Sequence, residues 1–216
     1  GVKKEKVRVV GDISYDELYN KFIQKVKVKK VVLSKYNLDE KKNIIIVALP
    51  QLGEHGMLSW DRHWEEVDFL IKNIDKVNQN ILISLHPKMC RKNYIFLEKK
   101  YNCRVLNERL VEVLVAADLF IATYSSTVAW SVLCGIKTLV VDFYGLNYTM
   151  YDFLVSIKKV KDKELFLGIL RKALEANVDF GKDWERLSRD DVFNGNALEK
   201  YIDLIYEVVE IEQKSI

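Results

Sequence analysis

Residues 118–142, Asp-Leu-Phe-Ile-Ala-Thr-Tyr-Ser-Ser-Thr-Val-Ala-Trp-Ser-Val-Leu-Cys-Gly-Ile-Lys-Thr-Leu-Val-Val-Asp, leave this chain few choices of fold. Residues 119–122 are a short apolar run, the mark of a strand buried on both faces of a parallel sheet. Thr123, Ser125, Ser126 and Thr127 then put hydroxyls where a helix begins. Residues 128–134 carry that helix, Gly135 ends it, and residues 138–141 form the next strand. Two readings of the hydroxyl turn stand side by side. Ser and Thr cap helices, and the free N–H groups behind them suit an anion such as phosphate. In an open parallel sheet, ligands bind beyond the carboxyl ends of the strands, where this turn sits.

The buried-strand signature recurs along the chain. Residues 43–49, Asn-Ile-Ile-Ile-Val-Ala-Leu, are its clearest case, and Pro50 stops them. Residues 81–85 run directly into His86-Pro87, residues 103–106 form a further strand, and residues 7–10 predict a short one. Helices are expected between them. One is capped by Ser14 and carries Leu18, Tyr19, Phe22 and Ile23. One is capped by Asp61 and buries Trp64, Val67, Phe69, Leu70 and Ile74. Others lie near 92–100 and 108–117. The Lys-rich stretch 25–30 reads as a solvated helix end, and residues 30–43 are mixed. Beyond Val141 the pattern loosens. Tyr144, Tyr148, Tyr151 and Phe153 crowd a stretch that starts at a Gly145 turn. Residues 163–176 read as an amphipathic helix and 177–196 as polar and irregular. Residues 197–213 predict a last helix whose Tyr201, Leu204, Ile205 and Val208 pack across the domain.

Five or six strands alternating with helices predict an α/β, Rossmann-like doubly wound parallel sheet. The 216 residues suit one such domain over 1–216 with a C-terminal helical extension, and 49% hydrophobic content supports its core. The start at Gly1, without Met, leads us to expect a domain cut from a longer protein. No G-x-G-x-x-G follows a strand and no Walker motif is present, which argues against an ordinary dinucleotide site and against ATP hydrolysis. A net charge of +3, from 34 basic and 31 acidic residues, makes no electrostatic case for nucleic acid. Cys90, Cys103 and Cys134 are spaced as free thiols of a reducing compartment, not as a disulfide framework or zinc site. No run reaches the roughly 18 apolar residues of a membrane span. The expected location is the cytoplasm, with peripheral attachment to the inner face of the membrane left open.

Three strand-end loops should meet at one edge of the sheet: residues 51–55, His86-Pro87, and residues 124–127. His86, before Pro87, is confined to extended backbone. It can donate to a phosphate oxygen, or it can be a satisfied strand-end histidine. His55, beside Glu54 and between Gly53 and Gly56, can be an acid or base or simply face solvent. His63, in the first turn of a helix, is expected at the surface. Asp142 and Tyr144, at the end of a strand, can reach a sugar or base, or can pack beneath a loop. The histidines have no zinc-ligand spacing, so no metal is expected. No catalytic triad can be assembled, because the G-x-S-x-G elbow is missing.

Two segments carry a resemblance: Ile83-Ser84-Leu85-His86-Pro87, and Tyr124-Ser125-Ser126-Thr127-Val128 followed by Leu133-Cys134-Gly135-Ile136-Lys137-Thr138. Together they resemble the C-terminal, nucleotide-sugar-binding half of a GT-B glycosyltransferase. Bacterial sialyltransferases and polysialyltransferases, capsule Kdo transferases and CDP-glycerol transferases of teichoic acid synthesis have such a His-Pro motif and a downstream Ser/Thr motif. Val9-Val10-Gly11-Asp12 with Asp16-Glu17-Leu18-Tyr19 is similar to the interdomain crossover of GT-B proteins and of UDP-N-acetylglucosamine 2-epimerases. The resemblance covers about residues 7–155. It implies that His86, with Pro87, and Ser125, Ser126 and Thr127 hold the phosphate of a cytidine-linked donor, a CMP-sugar or CDP-glycerol. The loop holding Glu54 and His55 would border the donor. Transfer would need neither metal nor cofactor. The general base would lie in an N-terminal acceptor domain outside this chain, so the chain alone would bind without turning over. Epimerases place an acid soon after their Ser, and Ser126-Thr127-Val128-Ala129-Trp130 has none, which counts against UDP. An epimerase-like domain and a non-catalytic α/β interaction module are the alternatives.

Overall fold

The computed structural model describes residues 3 and 7–213, with side chains as far as 209. Six strands form one sheet: β1 (Ile44–Ala48), β2 (Asn80–Ser84), β3 (Cys103–Val105), β4 (Leu119–Ala122), β5 (Lys137–Val141) and β6 (Ile157–Val160). Their order is β3-β2-β1-β4-β5-β6, and every pair is parallel. The expected doubly wound α/β sheet is present.

Side-chain alternation along β1 divides the core in two. Ile44 and Ile46 join the cluster under α1 (Ser14–Phe22), α2 (Lys25–Lys35), α5 (Leu110–Val113) and α6 (Thr127–Leu133). Ile45 and Val47 join the opposite cluster, under α3 (Trp60–Asp75) and α7 (Lys163–Glu175). All four are fully buried. Each such side chain contributes about 1.5–3 kcal/mol, so the unbroken apolar run of β1 decides the centre of the sheet. Asp118 locks the amino ends of the strands. It accepts hydrogen bonds from Lys29 Nζ at 2.7 Å and from the Ile44 amide at 2.8 Å.

Several local expectations are corrected. Residues 7–10 form no strand. Val7 and Val9 are exposed and belong to no strand of the sheet. Ser14 is the first helical residue of α1, and its amide donates to Asp12 Oδ1 at 2.8 Å. Ser59, not Asp61, caps α3, accepting from the Arg62 amide. The lysine-rich stretch is the largely exposed start of the helix α2, as expected, with Lys29 paired to Asp118. Residues 92–100 break into a 3-10 turn and the four-residue α4 (Leu97–Lys100). The polar 177–196 stretch holds α8 (Gly181–Arg186) and α9 (Arg189–Val192).

α10 (Ala197–Gln213) does not pack across the domain. Tyr201, Ile205 and Val208 are exposed. The helix is held at its start, where Asp16 of α1 accepts from the Ala197 and Leu198 amides at 3.0 and 2.9 Å. This carboxylate serves as a cap from outside the helix. Asp16→Ala is expected to cost about 0.5–2 kcal/mol, as loss of a cap does, and to weaken hydrogen-exchange protection in the first turn of α10. Unchanged protection there would show that the cap is dispensable.

Candidate functional site

The strand order creates a switch point. From β1 the chain builds outward through β2 and β3, then returns to lay β4 on the other side of β1. The connections leaving β1 and β4 therefore diverge, and a crevice opens beyond their carboxyl ends. A cleft of about 330 Å³ lies there. Pro50 and Gln51 line it from β1, Ser84, His86 and Pro87 from β2, and Thr123, Tyr124, Ser125 and Thr127 from β4. The three loops of the sequence reading thus meet, though of the 51–55 loop only Gln51 reaches the cleft. Glu17, Arg109 and Trp130 also line it, and the sequence reading assigned none of them to the site. The signal for Arg109 was its place just after a strand of the same parallel set.

His86 is exposed at the cleft, in a turn closed by the Met89 amide on its carbonyl at 2.8 Å. Its Nδ1 accepts from the Lys88 amide at 3.2 Å. In the neutral ring the proton is then on Nε2, which is left to donate to a ligand. Arg109 is ion-paired with Glu17 across the cleft wall. Both side chains are well exposed, so the pair is worth about 1 kcal/mol or less, and Arg109 can turn to an incoming anion at small cost.

At the hydroxyl turn, Ser125 Oγ lies 2.7 Å from Thr127 Oγ1 and accepts from the Thr127 amide at 3.2 Å. Ser126 occupies the N-cap position of α6 without a side-chain capping bond. It faces a second cavity of about 180 Å³, bordered by Tyr124 and Tyr148. Those two rings stack at 5.2 Å with an interplanar angle of 9°. α6 is supported from behind. Trp184 Nε1 donates to the Val132 carbonyl, which also accepts from the Gly135 amide, and Arg189 Nε donates to the Leu133 carbonyl, both side-chain bonds at 2.8 Å.

The loop after β1 is fastened by a hydrogen-bond chain. The Gly53 amide donates to His63 Nδ1 at 3.3 Å, His63 Nε2 lies 2.9 Å from Tyr94 Oη, and Tyr94 donates to Glu54 Oε1 at 2.6 Å. His63 is fully buried, not at the surface as expected, because Trp60, Trp64 and Tyr94 surround it edge-on. Burial lowers its pKa, against a smaller opposing effect of Glu54, and burial with the bond to Glu54 raises that of Tyr94. Glu54 is turned toward Tyr94, and its Oε2 is buried without a partner. His55 is exposed, and neither residue lines the cleft. Asp142 is buried and accepts from the Leu146 and Asn147 amides at 2.9 and 2.8 Å, so it shapes the Gly145 turn and does not line the cleft.

Among the described residues, no group of three or more His, Cys, Asp or Glu side chains could hold a metal, and no helix is long and apolar enough to cross a membrane. Cys103 and Cys134 are buried, and burial pushes both thiols up to about 12, while Cys90 is exposed.

Neither a protein-family model nor a curated protein matches the chain. Solved structures do. The wall teichoic acid polymerase TagF aligns at 18% identity and TM-score 0.59, over 98% of this chain and 54% of that one. A TagF variant soaked with CDPG aligns at 17% and 0.57, over 98% and 52%. The Methanocaldococcus jannaschii UDP-GlcNAc 2-epimerase, in complex with UDP-GlcNAc and UDP, aligns at 16% and 0.61, over 96% and 56%. The chain spans about half the length of each and has the GT-B-like, Rossmann-type fold that they share.

Proposed function

We propose that this chain is the donor-binding half of a glycosyltransferase of surface-polysaccharide synthesis, and that it holds a cytidine-linked donor, a CMP-sugar or CDP-glycerol. One observation carries the reading: His86, Arg109, Ser125 and Thr127, from three different strand ends, meet in one cleft at the switch point of a parallel sheet. Their chemistry is that of an anion site, with a ring N–H, a guanidinium and two linked hydroxyls. Pro87 and Ser126 support that site as neighbours in the same turns. TagF, with which the chain shares its fold, was soaked with CDPG. The three free cysteines fit a reducing compartment, and we place the chain in the cytoplasm.

In the proposed reaction the bond from the transferred group to the phosphate oxygen breaks, and the nucleotide leaves with the electron pair. His86 Nε2–H, Arg109 and the Ser125–Thr127 hydroxyls stabilise the negative charge that develops on that oxygen. The acceptor and its general base belong to the other half of the longer protein.

The test is a calorimetric titration of the chain with CMP, CDP and UDP. The cytidine nucleotides are expected to bind. His86→Ala is expected to weaken them by about 1–3 kcal/mol, the range for a charge-assisted hydrogen bond. Unchanged affinity would remove His86 from the site, and no binding by any nucleotide would overturn the reading in favour of an interaction module. The TM-score of 0.61 to the epimerase supports a second reading, a UDP-sugar site, which preference for UDP would establish.

A further inference from the structure

The floor of the cleft differs from its rim. Gln51, Ser84 and Thr123 follow or end three adjacent strands, β1, β2 and β4, and each is less than a tenth exposed. None carries a charge. Gln51 stands apart, because its Nε2 is buried and makes no hydrogen bond. A buried amide donor without a partner costs about 1–3 kcal/mol, so such groups are rare unless a ligand completes them. Gln51 is also firmly placed. Its carbonyl accepts from the His55 amide at 3.0 Å, and two residues on the Gly53 amide is tied to His63. A Cβ at Gly53 would meet the Trp60 ring at 2.9 Å, so the loop packs closely on α3 there.

We propose that Gln51 is a specificity-determining residue, whose side-chain amide donates to a neutral acceptor oxygen or ring nitrogen of the ligand. This rests on the nucleotide-donor reading and assigns its uncharged part. The phosphate lies on the rim with His86, Arg109 and the hydroxyl turn, and a neutral polar portion descends to the floor. Two portions of a nucleotide donor offer such an acceptor: the pyrimidine edge and the transferred sugar or polyol. A floor without charge suits either, and an anion would find no counter-charge there.

The two roles of a buried glutamine part company in Gln51→Met, which keeps the side chain's length and removes the unsatisfied donor. A structural glutamine would lose stability on this change. A ligand-reading one would lose affinity only. The full chain and Gln51→Met are therefore melted without ligand and titrated with CMP, UDP and CDP-glycerol. The variant is expected to melt at the same temperature or about 2–4 °C higher, as relief of roughly 1 kcal/mol gives in a chain of this size. It is expected to bind about tenfold more weakly whichever of these ligands the wild type binds, as loss of one hydrogen bond implies. A loss already seen with CMP or UDP assigns Gln51 to the nucleoside. A loss seen with CDP-glycerol alone assigns it to the transferred group. A clear fall in melting temperature, or equal affinity for a ligand that the wild type binds, overturns the inference and leaves the donor reading intact. A wild type that binds none of the three overturns both.

Discussion

Replacing Asp183 by alanine is expected to lower the stability of the domain by about 3–6 kcal/mol, from two charge-assisted hydrogen bonds of about 1.5–3 kcal/mol each. Asp183 is fully buried, in a stretch with no strong sequence pattern. Its oxygens accept from the Val155 and Ser156 amides at 2.8 and 2.7 Å, just before β6 begins. Burial alone would raise its pKa, but the bonds from Ser156 and Val155, with Arg186 nearby, outweigh burial and hold the carboxyl below its ordinary value. A depressed carboxyl contributes stability above its unfolded value of 3.8, and that stability is lost as pH falls through the folded value. Urea unfolding at neutral pH measures the effect, and Asp183→Asn should fall between alanine and wild type. A change under about 1 kcal/mol for the alanine variant would mean that water replaces the carboxylate freely. Because β6 is an edge strand on the far side of β5 from the cleft, the folded fraction of the variant should keep its ligand affinity.

What could be read in advance follows how local each signal is. A strand buried on both faces has to be apolar at successive positions, so β1, β2 and β4 announce themselves, and with them the parallel sheet and the loops at its carboxyl edge. β6 did not, because Ile157-Lys158-Lys159-Val160 is an edge strand whose lysines discourage further pairing. The 177–196 stretch looked irregular because its order is tertiary: Trp184 and Arg189 bond to the end of α6, and Arg189 stacks on Trp184 at 4.5 Å. This polar segment therefore backs the helix whose start places Ser125 and Thr127 at the cleft. Gln51 was legible as a loop residue, but its unpartnered amide depends on packing from three strands. α10 carries an apolar face that promised burial, yet it leaves the domain after its first turn. Periodicity describes a face and says nothing of what meets it.

His63 shows the same limit and leads to the other large effect. The spacing Trp60, His63, Trp64, Val67 marks one helix face, but neighbouring Asp61 and Arg62 make the first turn look solvated. Tyr94→Phe would leave the His63 Nε2 proton and Glu54 Oε1 without partners, and it is expected to cost about 2–6 kcal/mol, at about 1–3 kcal/mol for each stranded group. The pH dependence follows from the same chain. Because Nδ1 already accepts from Gly53, the folded protein holds His63 neutral, and burial lowers its pKa from the ordinary 6.5. The unfolded chain takes up a proton near 6.5 while the folded one does not, so this contribution is fully present above about pH 7 and is lost as pH falls through 6.5 toward the folded value. The contribution of the buried Asp183 carboxyl is lost only as pH falls below 3.8, so the two windows do not overlap. Melting temperature should therefore fall between about pH 7.5 and 5, and His63→Asn, less stable at neutral pH, should lose that slope. A slope that survives in His63→Asn would place the titration elsewhere. Loss of the slope with no change in nucleotide affinity at neutral pH would separate the fastening of the loop from the binding of the ligand.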